Sequence, residues 1–102
     1  ALVRFDDAVA AAAAIAARNG ETLVVVLGDH ATGGLSIDSR SSAGELALSW
    51  ASGGHTGEPV PVFAYGPPSA AARFGGMHDN TEIPHLVAAA LGLEFPPPAS
   101  TR

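Results

Sequence analysis

The chain has 102 residues, of which 47% are hydrophobic, so it is at most one small domain and too apolar for a disordered segment. Ten acidic residues against five arginines give a formal net charge of -5, which argues against a general binder of nucleic acids or acidic membranes. The sequence contains no cysteine and no lysine. These absences exclude disulfides, thiolate zinc sites, a cysteine nucleophile and Schiff-base chemistry. An anionic substrate would therefore need the positive charge of a metal.

The first predicted element is a helix that runs from residue 2 to about residue 18. Apolar side chains recur close to the spacing of one helical face, at Phe5, Val9, Ala12, Ile15 and Ala16. Asp6 and Asp7 suit its first turn, and they argue against a signal peptide because basic residues would precede one. Arg18 suits the last turn and Gly20 the C-terminal cap. No run of residues approaches the roughly 18 apolar positions of a membrane span.

A short run of mostly β-branched apolar residues follows at positions 23–27. Such a run is typical of a strand buried on both faces, as in a parallel sheet. Asp29 and His30 come directly after it, at the edge where open α/β sheets bind ligands. In a regular strand these two side chains would point to opposite faces, so they need a turn to converge. Gly33 and Gly34 allow such a turn.

Residues 38–58 are rich in Ser, Gly and Ala and are predicted to form a loop with one weak strand around Leu48. The loop ends in a second Gly-rich turn, and this turn carries His55. Residues 60–65 then alternate as a strand. Because the prolines at positions 59 and 61 lack amide donors, this segment belongs at a strand start or a sheet edge.

The last predicted element is a helix that Thr81 or Asn80 can cap and that Gly92 closes. Its apolar residues recur with helical spacing at Ile83, Leu86, Val87, Ala90 and Leu91. This stripe is expected to be buried.

Three residues on the two Gly-rich turns are candidate metal ligands: Asp29, His30 and His55. Mixed oxygen and imidazole ligation suits zinc, and catalytic zinc sites keep a coordination position open for water or substrate. An Asp-His dipeptide and one distant histidine also occur by chance. In that alternative, Asp29 caps the following turn and both histidines are hydrogen-bonded at a loop surface.

Three segments together carry a family resemblance: residues 23–35 (LVVVLGDHATGGL), residues 54–67 (GHTGEPVPVFAYGP), and residues 74–83 with their FGG and DNTEI motifs. The first closely resembles the strand-to-site segment of the alkaline phosphatases. The second resembles that family's later histidine segment, and the third continues in the family's order to the C-terminal helix. The resemblance extends from about residue 5 to residue 93, nearly the whole chain.

The resemblance implies hydrolysis of a phosphomonoester at a site with two zinc ions and one magnesium ion, through a phosphoserine intermediate. At the matching positions, Asp29 and His30 are implied to bind the zinc that holds the nucleophile and leaves it deprotonated. His55 is implied to bind the other zinc, which would stabilise the leaving alkoxide and then generate the attacking hydroxide. Two metals roughly 4 Å apart can clamp both ends of an in-line displacement.

The chain also departs from the family pattern. The family often has Glu in place of Ala31 and Ala in place of Gly28, and we assign neither position to a metal. The nucleophilic serine, the phosphate-binding arginine, the magnesium ligands and the remaining zinc ligands are expected upstream of the opening helix. No catalytic residue is therefore assigned in this chain.

Other polar residues have ordinary interpretations. The Asp-Ser pair at positions 38–39 follows the strand motif, in the wrong order for a nucleophile, and is predicted to be a surface turn. Arg40 and Arg73 are predicted to be solvated. His78 is predicted to be a loop residue and His85 a helix-surface residue.

The expected fold class is α/β. Residues 1–95 would form the C-terminal portion of an alkaline phosphatase-like three-layer α/β/α domain, and the proline-rich residues 96–102 a flexible tail. The complete enzyme would be a metal-dependent phosphomonoesterase, whereas this chain alone would be inactive. The alternatives are a catalytically silent metal-binding or scaffold fragment, and a related hydrolase of phosphodiesters, sulfates or phosphonates.

The expected partners follow from the same resemblance. They are a phosphomonoester substrate, the upstream segment of the same domain and a second copy in a homodimer. No nucleic acid and no membrane span is expected. The family is usually exported, so the resemblance implies a periplasmic or secreted location, although this chain has no signal peptide.

Overall fold

The computed structural model describes residues 1–96 of the chain. In chain order the elements are α1 (Leu2–Asn19), β1 (Val24–Leu27), β2 (Ala31–Thr32), β3 (Leu35–Ile37), β4 (Leu48–Trp50), β5 (His55–Thr56), β6 (Val62–Tyr65), α2 (Pro68–Ala71) and α3 (Ile83–Ala90). Two 3₁₀ turns, Ala72–Phe74 and Asn80–Glu82, lie between α2 and α3. This mixture of helices and short strands confirms the α/β class. Beyond Pro96, the tail predicted for residues 96–102 lies outside the described residues.

The chain divides into two compact units. The helical unit combines Ala1–Val26 with the segment from Val62 onward, and the site unit is Leu27–Pro61. All three α-helices belong to the helical unit, whereas the three candidate metal ligands belong to the site unit. The site can therefore be described within one continuous segment of the chain.

Helix α1 has the end that its sequence predicts. Gly20 adopts a left-handed conformation with φ of 70°, and its N–H donates to the Ala16 carbonyl at 2.9 Å. Arg18 lies in the last turn, where a positive charge complements the helix dipole. The start of the helix at Leu2 is also as predicted, but Asp6 and Asp7 lie beyond the first turn, so their placement in that turn was wrong.

Strand β1 forms where it was predicted, but its burial is lower than expected. It pairs with β6 in a two-stranded sheet. Residues 24–26 are half-buried, and Leu27 is 41% exposed. A strand is buried on both faces only when other layers cover the two sides of its sheet. The predicted burial is therefore wrong for this strand as it lies in the structure.

The core of the helical unit is small. The buried hydrophobic residues among those described are Ala16 on α1, Phe74 on the first 3₁₀ turn and Ala88 on α3. Helix α3 and strand β6 both pack against that 3₁₀ turn. The apolar stripe of the last helix is only partly covered, since Leu91 remains 68% exposed.

The second 3₁₀ turn leads directly into α3, and its cap is Asp79 rather than Asn80 or Thr81. The Asp79 carboxylate accepts a hydrogen bond from the Thr81 N–H at 2.9 Å, and the Glu82 carboxylate accepts one from the Asp79 N–H at 2.8 Å. This reciprocal pair is a capping box.

The site unit consists of two antiparallel ribbons. Strands β2 and β5 pair with Ala31 opposite Thr56 and Thr32 opposite His55. Strands β3 and β4 pair with Ser36 opposite Ser49, and their hydroxyl oxygens lie 2.8 Å apart. The predicted weak strand around Leu48 is therefore confirmed as β4. In the part of the chain that the structure describes, no helix has the length and hydrophobicity needed to cross a membrane.

Candidate metal centre

The pairing of β2 with β5 brings two histidines together from separate turns. His55 lies opposite Thr32, two positions after His30. The two imidazole rings stack with their centroids 3.6 Å apart and an interplanar angle of 27°. The structure therefore brings His30 and His55 into contact, which the sequence could suggest only through the order of its motifs.

His30 is held by its own neighbours along the chain. Its Nδ1 lies 3.1 Å from the Ala31 carbonyl oxygen and 3.4 Å from the Thr32 hydroxyl oxygen. Because a carbonyl oxygen can only accept, the hydrogen bond to Ala31 places the ring proton on Nδ1. A neutral ring with its proton on Nδ1 has a lone pair on Nε2, and this is the form in which a histidine binds a metal through Nε2.

Asp29 lies beside the other ring nitrogen, Nε2. One carboxylate oxygen of Asp29 accepts a hydrogen bond from the backbone N–H of His30 at 3.0 Å. The other oxygen lies 3.5 Å from His30 Nε2. Two ligands held at about 2 Å from a tetrahedral zinc ion lie about 3.3 Å apart. Side-chain exposures of 89% for Asp29 and 38% for His30 leave both groups open to an incoming ion. The donor types and their spacing thus fit a pair of ligands on one ion.

The three residues do not make a closed site by themselves. Within residues 1–96, no group of three His, Cys, Asp or Glu side chains is arranged to hold a metal ion. His55 meets His30 face to face, and Asp29 lies at the nitrogen edge of the His30 ring. The assignment of Asp29, His30 and His55 as ligands accordingly stays a prediction.

Gly33 ties the turn after β2 to the rest of the site unit. Its N–H donates to the Gly54 carbonyl at 2.8 Å, and its carbonyl accepts from the N–H groups of Ala51 and Ser52 at 2.8 and 3.1 Å. Its φ is 80°, and the Trp50 ring occupies the place that a Cβ would fill. Only glycine fits this position, as the sequence predicted for the Gly-rich turn.

A second network adjoins His55, and sequence reasoning missed it. The Thr56 hydroxyl accepts the Gly34 N–H at 3.2 Å and donates to the Glu58 carboxylate. This bond, together with the Glu58 backbone N–H, lowers the pKa of Glu58. Thr56 and Glu58 both lie in the motif at positions 54–67. Their polar side chains, close in sequence to the candidate ligand His55, were the feature from which this network could have been predicted.

The other polar residues singled out in the sequence lie in local contacts. Asp38 and Arg40 form an ion pair at 2.9 Å, and the Arg40 guanidinium lowers the pKa of the Asp38 carboxyl. The prediction of a surface turn at 38–39 agrees with this geometry, although Arg40 is paired as well as exposed. His78 contacts the Gly75 carbonyl at 3.1 Å, and the His85 ring meets Phe95 edge to face.

Comparison with known proteins finds similarity to the alkaline phosphatases. A family model described as alkaline phosphatase matches residues 40–93. The chain is 42% identical over 107 residues to streptomycin-6-phosphate phosphatase of Streptomyces griseus. This alignment covers 87% of the chain and 23% of that relative. It is 32% identical to the alkaline phosphatase of Escherichia coli strain K12, with 90% of the chain and 23% of the relative covered.

Solved structures agree with the sequence matches. The alkaline phosphatase of the Antarctic bacterium TAB5 aligns with a TM-score of 0.78 and 36% identity, covering 89% of this chain and 28% of that one. A variant of the same enzyme, described with Mg bound in the M3 site, aligns with a TM-score of 0.75. The chain thus spans roughly a quarter of the length of the relatives that it matches.

Proposed function

The chain belongs to the alkaline phosphatase family, and on that premise we propose that it forms part of a metal-dependent phosphomonoester hydrolase. The observation that carries the proposal is the stacking of His30 on His55, with Asp29 at the nitrogen edge of the first ring. These are the residues at which the two longest motifs match the family.

We assign Asp29 and His30 to one zinc ion and His55 to a second. Zinc at such a site supplies Lewis acidity and positive charge to a bound phosphate ester. The residues of the chain itself orient the ligands. The Ala31 carbonyl fixes the His30 tautomer, and the His30 N–H fixes one oxygen of the Asp29 carboxylate. The exposed faces of these side chains leave room for a substrate phosphate.

The remaining parts of the site are assigned to residues outside these 102. They comprise the nucleophilic serine, the other zinc ligands and the ligands of one magnesium ion. Alkaline phosphatases roughly four times as long as this chain support that division, and so does a relative with Mg bound in the M3 site. We likewise propose that residues 1–95 form part of a three-layer α/β/α domain, with a periplasmic or secreted location and a homodimeric assembly.

A catalytically silent metal-binding or scaffold role is the alternative. The relative from Streptomyces griseus carries the name of a phosphatase for streptomycin 6-phosphate, which is a phosphomonoester of a small metabolite. Its 42% identity to this chain favours catalysis over a silent role, and it favours small phosphorylated metabolites as the substrate class.

The experiment is hydrolysis of p-nitrophenyl phosphate by the complete protein, with zinc and magnesium supplied. His55→Ala is expected to lower kcat/KM by at least about 100-fold, the upper end for loss of an outer-shell partner of a metal. His85→Ala is the matched control. This histidine lies on α3 and contacts Phe95, outside the site unit, so its loss should leave kcat/KM unchanged.

The 102-residue chain alone should show no turnover above buffer, since it carries no assigned nucleophile. Saturable, metal-dependent turnover by the chain alone, abolished by His55→Ala, would contradict this division of the site. Full activity of the complete protein after His55→Ala would contradict the metal assignment itself.

A further inference from the structure

Strand β5 is too short to orient His55 through backbone pairing alone. It contains two residues, and its partner β2 contains two. Even complete two-stranded hairpins are marginally stable in water, so a ribbon of this size needs other restraints. The stacking of His30 on His55 at 3.6 Å nevertheless requires a fixed strand orientation.

The Gly33 N–H donates to the carbonyl of Gly54, just before His55, at 2.8 Å, and a side-chain restraint is attached to Thr56, the residue after His55. Successive side chains of a strand point to opposite sides, so fixing the Thr56 side chain also fixes the direction in which the His55 side chain leaves the strand. The Thr56 hydroxyl is bonded on both sides, since it accepts the Gly34 N–H at 3.2 Å and donates to the Glu58 carboxylate. It thereby links the turn that follows β2 with the segment that follows β5.

Glu58 is held close to the same turn. A Cβ built on Gly34 would lie 3.1 Å from Glu58 Oε1 and 3.0 Å from the Ala51 Cβ, and Gly34 has φ of 56°. The Glu58 carboxylate therefore lies against the Gly34 backbone, in a place that a side chain at position 34 would crowd. The absence of a side chain at Gly34 permits this close approach of Glu58.

We propose that Glu58 is a positioning residue that orients His55 against His30 through the Thr56 hydroxyl. The inference rests on the proposed function insofar as His55 is taken to be a metal ligand. Glu58 acts through Thr56 and Gly34, so it is not assigned to the metal or the substrate. Its loss should loosen the contact between the two rings before any metal is added.

The test begins with the complete protein freed of metal by a chelator. NMR should detect a nuclear Overhauser effect between ring protons of His30 and His55, because the stacked rings are in contact. Glu58→Ala should remove this signal, and it should weaken zinc binding, measured by titration calorimetry, by about 10- to 100-fold. Glu58→Gln should retain the signal and most of the affinity, because its amide oxygen still accepts the Thr56 hydroxyl.

The matched control is Glu45→Ala in the same unit. The backbone of Glu45 is bonded to Ser42 at 2.9 and 3.1 Å, and these bonds do not depend on the Glu45 side chain. This variant should leave the signal between the rings and the zinc affinity unchanged. A loss of both in Glu45→Ala equal to that in Glu58→Ala would overturn the inference.

Two variants of Thr56 keep the test decisive if Glu58→Ala fails to fold. Thr56→Val removes the hydroxyl at nearly constant volume and should behave like Glu58→Ala, whereas Thr56→Ser should restore the signal between the rings. Retention of that signal and of wild-type zinc affinity in Thr56→Val would overturn the inference. If instead the signal depends on Glu58 and Thr56 but the wild-type protein hydrolyses no phosphomonoester, the positioning role stands and the proposed function falls.

Discussion

At the scale of single residues, the geometry of the candidate site depends on a glycine as well as on the candidate ligands. Gly33 is buried, and its N–H and carbonyl together bond to Gly54, Ala51 and Ser52. The Trp50 ring lies where a Gly33 side chain would be. Position 33, in the turn between His30 and the ribbon of β3 and β4, therefore has no room for a side chain.

Gly33→Ala is expected to destabilise the complete protein more than Gly44→Ala does. Both glycines have positive φ, of 80° and 95°, so each substitution carries a backbone cost of about 1–2 kcal/mol. At Gly33 the clash with Trp50 adds about 1–3 kcal/mol of overpacking, whereas nothing lies within 4 Å of a Cβ on Gly44. Urea denaturation of the two variants measures the difference. Equal losses of stability would contradict the close packing of Trp50 on Gly33.

The residues of the candidate site could be chosen from the sequence, and the order of the motifs suggests that they lie close together. The strand register that brings the two histidines into contact could not be predicted. Asp29, His30 and His55 stand out as polar groups on Gly-rich turns, and the family motifs mark them. The pairing that brings the histidines together involves Ala31 opposite Thr56 and Thr32 opposite His55. A strand of two residues is too short to show a period of two, so no pattern in the sequence predicts this register.

At the scale of elements, the sequence before α3 contains a capping box, and the prediction of Thr81 or Asn80 as the cap overlooked it. Asp79, Asn80 and Thr81 are all residues that cap helices, so composition alone does not choose among them. The spacing does choose, because Asp79 and Glu82 stand three positions apart, as a capping box requires. The ends of α1 and α3 at glycines were easier to predict, since each depends on one residue type in one conformation.

The cap at Asp79 should make the stability of the complete protein depend on pH. Hydrogen bonds from the Thr81 backbone N–H and hydroxyl lower the pKa of Asp79 below its ordinary value of 3.8. A carboxyl whose pKa is lowered by folding contributes stability above its unfolded pKa and loses it as the pH falls through its folded pKa. The stabilisation should therefore be complete near neutral pH and decline below about pH 4.

Asp79→Ala is expected to lower the melting temperature at pH 7 by a few degrees, and this difference should shrink as the pH falls below 4. Asp79→Asn is the matched variant, because its amide oxygen still accepts the Thr81 N–H but does not titrate. Thermal unfolding by circular dichroism across this pH range makes the measurement. A deficit of Asp79→Ala that is the same at every pH would contradict the role of the charged carboxylate.

Strand β1 shows a different limit of sequence reasoning. Its apolar run predicts a strand, and the strand forms at Val24–Leu27. The same run predicts burial on both faces, yet Leu27 is 41% exposed. Hydrophobicity reports what a segment needs for stability, whereas burial depends on which other layers are present to cover it.

At the scale of the whole molecule, the described residues expose apolar surface that a stable monomer would cover. Leu2, Val3 and Phe5 on α1 are 80%, 75% and 55% exposed. A groove of about 540 Å³ lies among these residues, Asp6, Val9, Val26 and Phe63. Soluble monomers seldom expose contiguous apolar patches larger than a few hundred Å². The small core of Ala16, Phe74 and Ala88 offers little to offset this exposure.

The 102-residue chain on its own is therefore expected to self-associate. Mutations on the exposed apolar face of α1 should weaken this association. Phe5→Glu places a charge in the groove and should reduce light scattering and the binding of a hydrophobic dye. Ala11→Glu adds the same charge to an exposed position of α1 outside the groove lining, so it should leave scattering unchanged. Equal effects of the two substitutions would mean that added charge alone prevents association. A sharp unfolding transition of the wild-type chain, independent of concentration and well above about 60 °C, would show that these residues are stable without any cover for the groove.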